Sequence, residues 1–260
     1  MADTLFTELF DLSGRIALVT GASGGLGRHF AITLARAGAR VAVAARRMDQ
    51  LAEVVAEIRQ MGHQADAFSM DVTDHASVLT ALDRIGERLG VADIVVNNAG
   101  VSITRRAFDV DVDNWNTVVG TNLTGAWMVA QETARRMAAA KRGGSIINIT
   151  SILASRVAGG VSPYSAAKAG LRQLTRSLAL ELAQYDIRVN SLAPGYISTE
   201  LNNDFLAGNS GEKLKARIPA RRFGNYRDLD GALLLLASGA GAYITGAEIV
   251  IDGGHLCSSL

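Results

Sequence analysis

The stretch SPYSAAKAG, residues 162–170, places Tyr164 and Lys168 four positions apart. On a helix, this spacing brings both side chains to one face, one turn apart. A phenol has an ordinary pKa near ~10, too high for an efficient base at neutral pH, and a neighbouring ammonium group favours the phenolate. The pair therefore predicts a general acid/base. Taken alone, the same spacing more often belongs to two long side chains on an exposed helix surface.

A glycine-rich loop, TGASGGLG at residues 20–27, follows an apolar run and precedes a helical pattern. Gly21, Gly25 and Gly27 remove the Cβ atoms where a phosphate would approach the free N–H groups of a helix N-terminus. The lysine and serine that end a P-loop are missing, which argues against hydrolysis of a nucleoside triphosphate. The loop therefore predicts the pyrophosphate site of a dinucleotide, with Ser23 and Leu26 also in contact. The alternative is a glycine-rich turn without a ligand.

The second apolar run ends in VAVAARRMD, where an NAD site carries an acidic residue for the ribose 2′-hydroxyl. Ala45 stands at that position, and Arg46 and Arg47 follow. A guanidinium matches a 2′-phosphate in charge and in bidentate geometry, so we predict NADP(H), with NAD(H) as the alternative. Arginines that merely begin a solvated helix are the competing interpretation. Asp71 and Val72, after the third run, are expected to contact the adenine.

Seven short apolar runs alternate with longer amphipathic stretches, and these elements must position the candidate residues. Runs that are apolar almost throughout are typical of strands buried on both faces of a parallel sheet. The amphipathic stretches repeat apolar residues at helical spacing and end near glycine. We therefore predict an α/β fold in a single domain, 1–260: a Rossmann-type doubly wound parallel sheet of about seven strands with helices on both faces. The predicted strands are 15–20, 40–45, 65–70, 93–98, 145–150, 187–193 and 248–253.

Composition excludes several classes of protein. A formal net charge of +1 without a basic block argues against nucleic acid or an acidic membrane surface as partner. The one cysteine, Cys257, allows no intrachain disulfide, and no segment is typical of a membrane span or signal peptide, so we expect a cytoplasmic protein. No metal site is expected, because the histidines at 29, 63, 75 and 255 lack metal-ligand spacing and are interpreted as packed or solvated.

Taken together, the motifs resemble those of the short-chain dehydrogenase/reductase family along nearly the whole chain. Six motifs in the family's order are far more specific than any one of them, and Ser151 stands thirteen residues before Tyr164, the usual interval. The resemblance implies an oxidoreductase that transfers a hydride between NADP(H) and a ketone or secondary alcohol. The matching segments are TGASGGLG (20–27), NNAG (97–100), NLTG (122–125), NITS (148–151), YSAAK (164–168) and PGYIST (194–199).

The resemblance also implies a role for each motif residue. Tyr164 is expected to be the general acid/base, and Lys168 to lower its pKa and to hold the nicotinamide ribose. Ser151 is expected to hold the substrate oxygen. Asn122, on the long fifth helix, is expected to fix a water that links Lys168 to solvent, while the cofactor carries the hydride. The remaining motifs add the expected cofactor contacts Asn98, Gly100, Pro194, Gly195, Ile197 and Thr199.

The substrate pocket is predicted from residues that flank the serine and the tyrosine. Its apolar or small lining suits a ketone or secondary alcohol. The polar segment 198–226 is predicted to close over the substrate as a lid, or else to be a solvated loop. The residues expected to contact substrate are Ser151, Leu153, Val161, Tyr164 and Tyr196.

Three alternatives to a simple carbonyl reductase stay open. Some members of the family reduce 3-oxoacyl chains on acyl carrier protein, for which basic charge would come from Arg135, Arg136, Lys141 and Arg142. Others oxidise sugar acids, and Arg105 and Arg106 would suit such an anionic substrate. A non-catalytic dinucleotide-sensing protein is the alternative from a different class, although the serine, tyrosine and lysine are all present. From the family, we also expect a homotetramer built on the fifth and sixth helices and the C-terminal strand.

Overall fold

The computed structural model describes residues 8–198 and 208–258. These residues contain a seven-stranded parallel sheet in the order β3-β2-β1-β4-β5-β6-β7. Because β1 pairs with both β2 and β4, the strand order changes direction between β1 and β4. The predicted doubly wound sheet is therefore confirmed, with strand ends shifted by up to two residues. The strands are β1 Ile16–Thr20, β2 Arg40–Ala45, β3 Ala65–Ser69, β4 Ile94–Asn97, β5 Gly144–Ile149, β6 Ile187–Pro194 and β7 Glu248–Ile251.

Helices connect consecutive strands and cover both faces of the sheet. The fifth helix predicted from the sequence consists of two α-helices, α4 and α5, joined by a π-helical segment, Gly120–Gly125. Before β7 the chain forms two shorter helices rather than one. In the described part of the chain the α-helices are α1 Gly25–Arg36, α2 Met48–Gln60, α3 His75–Arg88, α4 Val112–Val119, α5 Ala126–Ala139, α6 Ser162–Leu182, α7 Asn209–Lys215 and α8 Asp230–Ala237.

The core consists of two layers of apolar side chains, one on each face of the sheet. All five residues of β1 are buried, which explains why this strand is apolar throughout. Ala17 and Val19 face the layer formed with α1, α2 and α8, whereas Leu18 faces the layer formed with α3, α5 and α6. Burial on both faces fixes the strands, so the loops at their ends are held in place by a rigid support.

The amino-end edge of the sheet buries one carboxylate, Asp93, directly before β4. Its Oδ2 accepts a hydrogen bond from Ile16 N at 2.9 Å. Its Oδ1 accepts two from the Arg142 guanidinium, at 3.1 and 2.7 Å, and Arg15 lies 3.7 Å away. This network joins β1, β4 and the turn before β5. In the described residues, no helix has the length and apolar character needed to cross a membrane.

Candidate active site

The predicted site residues meet at the carboxyl-end edge of the sheet. Each predicted motif either ends a strand or follows it directly, except for the segments around Asn122 and Tyr164, which lie on helices. In open parallel sheets, ligands bind in the crevice outside the carboxyl ends, where the strand order changes direction. Here that crevice lies between the loops that follow β1 and β4.

The glycine loop forms a close-packed hollow at the N-terminus of α1. Gly21 has a φ of +64°, and a Cβ there would stand 2.8 Å from the Cα of Ala99. A Cβ on Gly27 would stand 2.3 Å from the carbonyl oxygen of Gly21, so only glycine fits at either position. Asn98 fixes the loop, because its Nδ2 donates to Thr20 O at 3.0 Å. Free N–H groups at the start of a 12-residue helix beside such a hollow suit a pyrophosphate.

Two guanidinium groups flank the adenosine end of this hollow. Arg47 Nη2 donates to Ser23 Oγ at 3.0 Å, which brings the arginine against the glycine loop. Arg46 lies 3.8 Å from Asp71 and stays largely exposed. Hydrogen bonds from Thr73 hold the pKa of Asp71 below its ordinary range against the opposing effect of burial, with a further contribution from the charge of Arg46. Positive charge therefore stands where β2 ends at Ala45, and this arrangement fits a 2′-phosphate.

Tyr164, Lys168 and Ser151 lie together at the start of α6 and the end of β5. The Lys168 ammonium lies 5.5 Å from the centroid of the Tyr164 ring and donates a hydrogen bond to Ile149 O at 2.7 Å. Lys168 is only 4% exposed, and no described carboxylate pairs with it. Ser151 is hydrogen-bonded to the Tyr164 hydroxyl, and its Oγ accepts from Leu153 N at 3.1 Å. The serine and the tyrosine can thus bind one oxygen atom between them.

The electrostatics of this group differ from the sequence-based expectation. Burial raises the pKa of Tyr164, and this effect outweighs the hydrogen bond with Ser151, which acts in the opposite direction. Burial also lowers the pKa of Lys168 to about 8. The expected lowering of the tyrosine pKa is therefore not found in the protein alone, because the desolvation of a buried phenol exceeds the influence of an ammonium group bonded elsewhere.

Asn122 lies in the π-helical segment between α4 and α5, not within a regular helix as expected. Its Nδ2 donates to Val118 O at 2.8 Å and to Val101 O at 2.7 Å. Its Oδ1 is buried and has no partner among the described residues. A Cβ on Gly100 would stand 2.6 Å from this oxygen. A π-helical turn with a free buried acceptor is typical of a functional position.

A buried polar network that sequence reasoning missed supports these residues. Asn97 Nδ2 donates to Asn148 Oδ1 at 2.9 Å, and Asn148 Nδ2 donates to Thr175 Oγ1 at 2.9 Å. The two asparagines belong to motifs, but nothing in the sequence pairs them with the threonine. The network joins β4 and β5 to α6 and therefore fixes the helix that carries Tyr164 and Lys168.

The loop after β6 contributes the predicted nicotinamide-side residues. A Cβ on Gly195 would stand 2.6 Å from the Cβ of Asp252, so the ends of β6 and β7 approach closely here. Ile197 is buried and forms an isolated bridge with Gly224. Thr199 and the lid residues up to 207 lie outside the described residues.

A cavity of about 290 Å³ lies against the segment that directly follows Ser151, although neither Ser151 nor Tyr164 is among its lining residues. The predicted substrate contacts Leu153 and Tyr196 line it, together with Leu214 from the described part of the predicted lid. Val161 is not among the lining residues and instead precedes α6 as its N-cap. Of the three polar residues of this cavity, Arg217 belongs to the predicted lid, whereas the sequence analysis missed Arg156 and His255. They come from separate segments, so no spacing signal was available to find them.

The exposed arginines considered at the sequence level occupy different places. The backbone of Arg105 donates to Gly160 O at 2.9 Å, so its loop lies against the segment before Tyr164. Arg135, Arg136 and Arg142 instead form ion pairs with Glu132, Asp83 and Asp93, respectively. Arg142 in particular lies at the amino-end edge, on the side of the sheet opposite the candidate site.

Comparison with known proteins agrees with this geometry. Residues 21–255 match the family model described as "Enoyl-(Acyl carrier protein) reductase". Gluconate 5-dehydrogenase of Gluconobacter oxydans is 34% identical over 248 residues, which cover 95% of this chain and 96% of that protein. The 3-oxoacyl-(acyl-carrier-protein) reductase FabG of Escherichia coli is 36% identical over 244 residues, covering 94% of this chain and 98% of that protein.

A solved structure extends the comparison to the fold. Gluconate 5-dehydrogenase from Burkholderia cenocepacia, in complex with NADP and tartrate, superposes with a TM-score of 0.94 at 36% identity. The match covers 98% of this chain and 100% of that one. Sequence, fold and the order of the motifs thus agree, and the chain belongs to the short-chain dehydrogenase/reductase family of oxidoreductases, which act on CH–OH and C=O groups.

Proposed function

We propose that the protein transfers a hydride between NADP(H) and a ketone or secondary alcohol, with Tyr164 as general acid/base. One observation carries the proposal: Ser151, Tyr164 and Lys168 meet beside the glycine hollow, at the edge where the strand order changes direction. The nicotinamide cofactor supplies or accepts the hydride when it is bound.

Four side chains of the protein have separate roles in binding the substrate oxygen and moving its proton. Ser151 and Tyr164 hold the substrate oxygen, and the tyrosine hydroxyl gives its proton to that oxygen in reduction and takes it in oxidation. Lys168 stabilises the phenolate that reduction leaves behind. Asn122 offers its free Oδ1 to a hydrogen-bond donor on the path of that proton to solvent. The remaining predicted cofactor contacts, including Thr199, stay part of this proposal.

Preference for NADP(H) over NAD(H) follows from the adenosine end of the site. Arg47 and Ser23 are already in contact, and Arg46 lies nearby with most of its surface exposed. No acidic side chain occupies the end of β2, where a 2′-hydroxyl would need an acceptor. The NADP complex of the gluconate 5-dehydrogenase from Burkholderia cenocepacia supports the same choice.

Oxidation of a sugar acid is the second candidate function, and it is favoured over reduction of a carrier-bound thioester. Of the four basic residues suggested for docking a carrier, Arg135, Arg136 and Arg142 are held in ion pairs, and only Lys141 has none among the described residues. In contrast, the cavity that follows Ser151 contains two arginines and no described carboxylate. Gluconate 5-dehydrogenase of Gluconobacter oxydans is one of the relatives.

Assembly into a cytoplasmic homotetramer is also part of the proposal, with one domain over 1–260 and a lid over 198–226. Exposed apolar side chains lie on the three elements that the family uses for assembly: Trp127 on α5, Leu180 on α6 and Val250 on β7. Burying them between subunits would remove apolar surface from water. Sedimentation at micromolar concentration tests this directly, and a monomer would contradict it.

The main experiment measures turnover of ketones and secondary alcohols with both cofactors. We expect oxidation of NADPH by ketones, and Arg46→Ala and Arg47→Ala should each raise the KM for NADP(H) about tenfold, since each removes a charge-assisted hydrogen bond. The KM for NAD(H) should change little. Equal effects on both cofactors would refute the 2′-phosphate assignment. Tight NADPH binding without turnover of any substrate would favour the dinucleotide-sensing alternative.

A further inference from the structure

The cavity that follows Ser151 combines apolar walls with charged side chains that are all positive. Ile152, Leu153 and Leu214 form apolar parts of its wall, while Arg156 and Arg217 contribute the charges. No described aspartate or glutamate lines it. An uncompensated positive charge in a concave site attracts an anion.

The two arginines differ in how they are held. Arg156 is fixed by its Nη1, which donates to His255 O and to Ser258 Oγ. Among the described residues, nothing accepts a hydrogen bond from its Nε or Nη2. The Arg217 side chain forms no ion pair or hydrogen bond with any described residue. One positioned guanidinium and one without a described partner therefore remain available to a ligand.

His255 lines the same cavity and carries an unsatisfied, buried polar atom. It is 7% exposed, and its Nδ1 is buried without a partner among the described residues. Asp252 holds the turn that carries it, accepting hydrogen bonds from Gly254 N at 2.8 Å and from Leu256 N at 2.5 Å. The Tyr196 ring packs against the imidazole, with the ring centroids 5.7 Å apart. A buried ring nitrogen without a partner is costly, so a polar ligand group would stabilise this arrangement.

Burial, assisted by two neighbouring arginines, favours the neutral form of the His255 imidazole. Burial lowers its pKa, and the nearby charges of Arg156 and Arg217 lower it further, against the opposing effect of Asp252. A neutral imidazole can accept a hydrogen bond from a hydroxyl group. The cavity therefore offers positive charge to an anion and an acceptor or donor to a neighbouring polar group.

We propose that this cavity binds the carboxylate end of a short hydroxy or oxo acid, with Arg156 and Arg217 as its ligands and His255 Nδ1 bonded to an adjacent hydroxyl group. The inference rests on the proposed function and names the substrate class for the same site. A volume of about 290 Å³ suits a small acid. The carboxylate would orient the substrate so that its reacting carbon faces Ser151 and Tyr164.

The test compares substrates that differ only in their charge. Turnover with NADP(H) is measured for gluconate against gluconamide, in oxidation, and for levulinate against levulinamide, in reduction. We expect kcat/KM to favour the acid by about tenfold or more, as for a charge-assisted hydrogen bond. Arg217→Gln should lower this acid-to-amide ratio about tenfold, mainly through the KM of the acid.

Two further variants separate charge from structure. Arg156→Lys keeps the charge but loses the bidentate geometry, so the ratio should fall less than in Arg156→Gln, where the turn at Ser258 is also disturbed. Arg84→Gln is the matched control, because Arg84 is an exposed residue of α3 without an ion pair among the described residues. Its acid-to-amide ratio should equal that of the wild type.

The outcomes distinguish the inference from the proposed function. Turnover with equal kcat/KM for acid and amide, unchanged by Arg217→Gln, would overturn the carboxylate site and leave the oxidoreductase assignment intact. Preference for the neutral acetoacetyl thioester of N-acetylcysteamine over levulinate would also overturn it. Absence of turnover on every substrate, with NADPH still bound, would instead refute the proposed function itself.

Discussion

The two edges of the sheet each bury one charged side chain, and the two side chains differ in whether they have a counter-charge. At the amino-end edge, Asp93 accepts hydrogen bonds from a backbone N–H and from the guanidinium of Arg142. At the carboxyl-end edge, Lys168 donates to one carbonyl oxygen and has no described counter-charge. The first arrangement stabilises the fold, whereas the second keeps a charge in a costly environment where it is available for chemistry.

Unsatisfied polar atoms follow the same division. Four buried side-chain atoms lack a partner among the described residues, and all four lie at or near the carboxyl-end edge. The amino-end edge has the larger cavity, about 810 Å³, but its buried carboxylate is fully bonded. Buried polar atoms without a hydrogen-bond partner therefore indicate where the candidate site lies, whereas cavity volume alone would select the opposite edge. The four atoms are Asn97 Oδ1, Asn122 Oδ1, Ser165 Oγ and His255 Nδ1.

The largest difference between the edges should appear when a tyrosine is changed at each. Tyr164→Phe removes the proton donor and should lower kcat about 10²–10⁴-fold, the range of general acid–base catalysis, with NADPH binding retained. Tyr185→Phe is the matched control, because Tyr185 is a half-exposed residue just before β6, at the amino-end edge. Steady-state rates and NADPH fluorescence measure both properties. Comparable losses in the two variants would remove the distinction between the edges.

Breaking the ion pair of the amino-end edge should affect stability rather than activity. Asp93→Asn should lower the free energy of unfolding by about 2 kcal/mol, below the ~3–5 kcal/mol of a fully buried pair, because Arg15 and Arg142 stay half exposed. Urea denaturation measures this change, and kcat per folded molecule should be unchanged. Asp83→Asn, which breaks an exposed pair with Arg136, should cost under about 1 kcal/mol. A large loss of kcat in Asp93→Asn would contradict the comparison.

Removing the buried charge of Lys168, at the carboxyl-end edge, should raise stability, whereas Asp93→Asn should lower it. The pKa of Lys168 falls from its ordinary value of 10.5 to about 8 in the folded protein, so folding disfavours the charged form at every pH below about 8. Lys168→Met should therefore raise the free energy of unfolding at pH 7 by about 1–2 kcal/mol, after loss of the hydrogen bond to Ile149 O. It should abolish most activity.

This gain in stability should depend on pH. As pH rises from 8 towards 10.5, the lysine loses its charge in the unfolded chain as well, and the penalty disappears from the wild type. Denaturation curves of both proteins across this range test the assignment. Lower stability of Lys168→Met at pH 7 would mean that the buried ammonium stabilises the fold, as Asp93 does.

A further prediction, which needs no substitution, concerns the pH dependence of the two reaction directions. Because burial raises the pKa of Tyr164, its phenolate is scarce at neutral pH. Alcohol oxidation, which needs the phenolate, should increase up to about tenfold per pH unit between roughly pH 7 and pH 9. Ketone reduction needs the phenol and the charged Lys168, whose pKa is about 8, so it should stay nearly constant up to about pH 8 and fall above it. An oxidation rate already constant at about pH 7 would mean that the bound complex lowers the pKa below neutrality.

The fold and the motif residues were predictable because each leaves a local signal in the sequence. Strands buried on both faces are apolar throughout, as β1 is, and the glycine loop marks a helix N-terminus. The π-helical segment at Asn122 has no such signal, because its sequence is compatible with a regular helix. The pKa of Tyr164 was predicted in the wrong direction for the protein alone, since sequence gives the neighbouring lysine but not the degree of burial.

The residues that sequence analysis missed are those joined only by the fold. Arg156 follows β5 and His255 follows β7, and both line one cavity with Arg217, which lies in the segment predicted as a lid. His255 was interpreted as a packed or solvated imidazole, and it is indeed nearly buried, but its unpartnered Nδ1 is visible only in three dimensions. Asp93 and Arg142 were likewise far apart in sequence, and the parallel pairing of β4 with β5 brings them together.

The short turn that carries His255 also provides a site for a fluorescent label. It ends at Cys257, the only cysteine of the chain, and this side chain is exposed. A maleimide fluorophore would therefore label one defined position per subunit, two residues beyond the imidazole of the cavity. Its emission or anisotropy would report ligand occupancy in real time, independently of the absorbance of the cofactor.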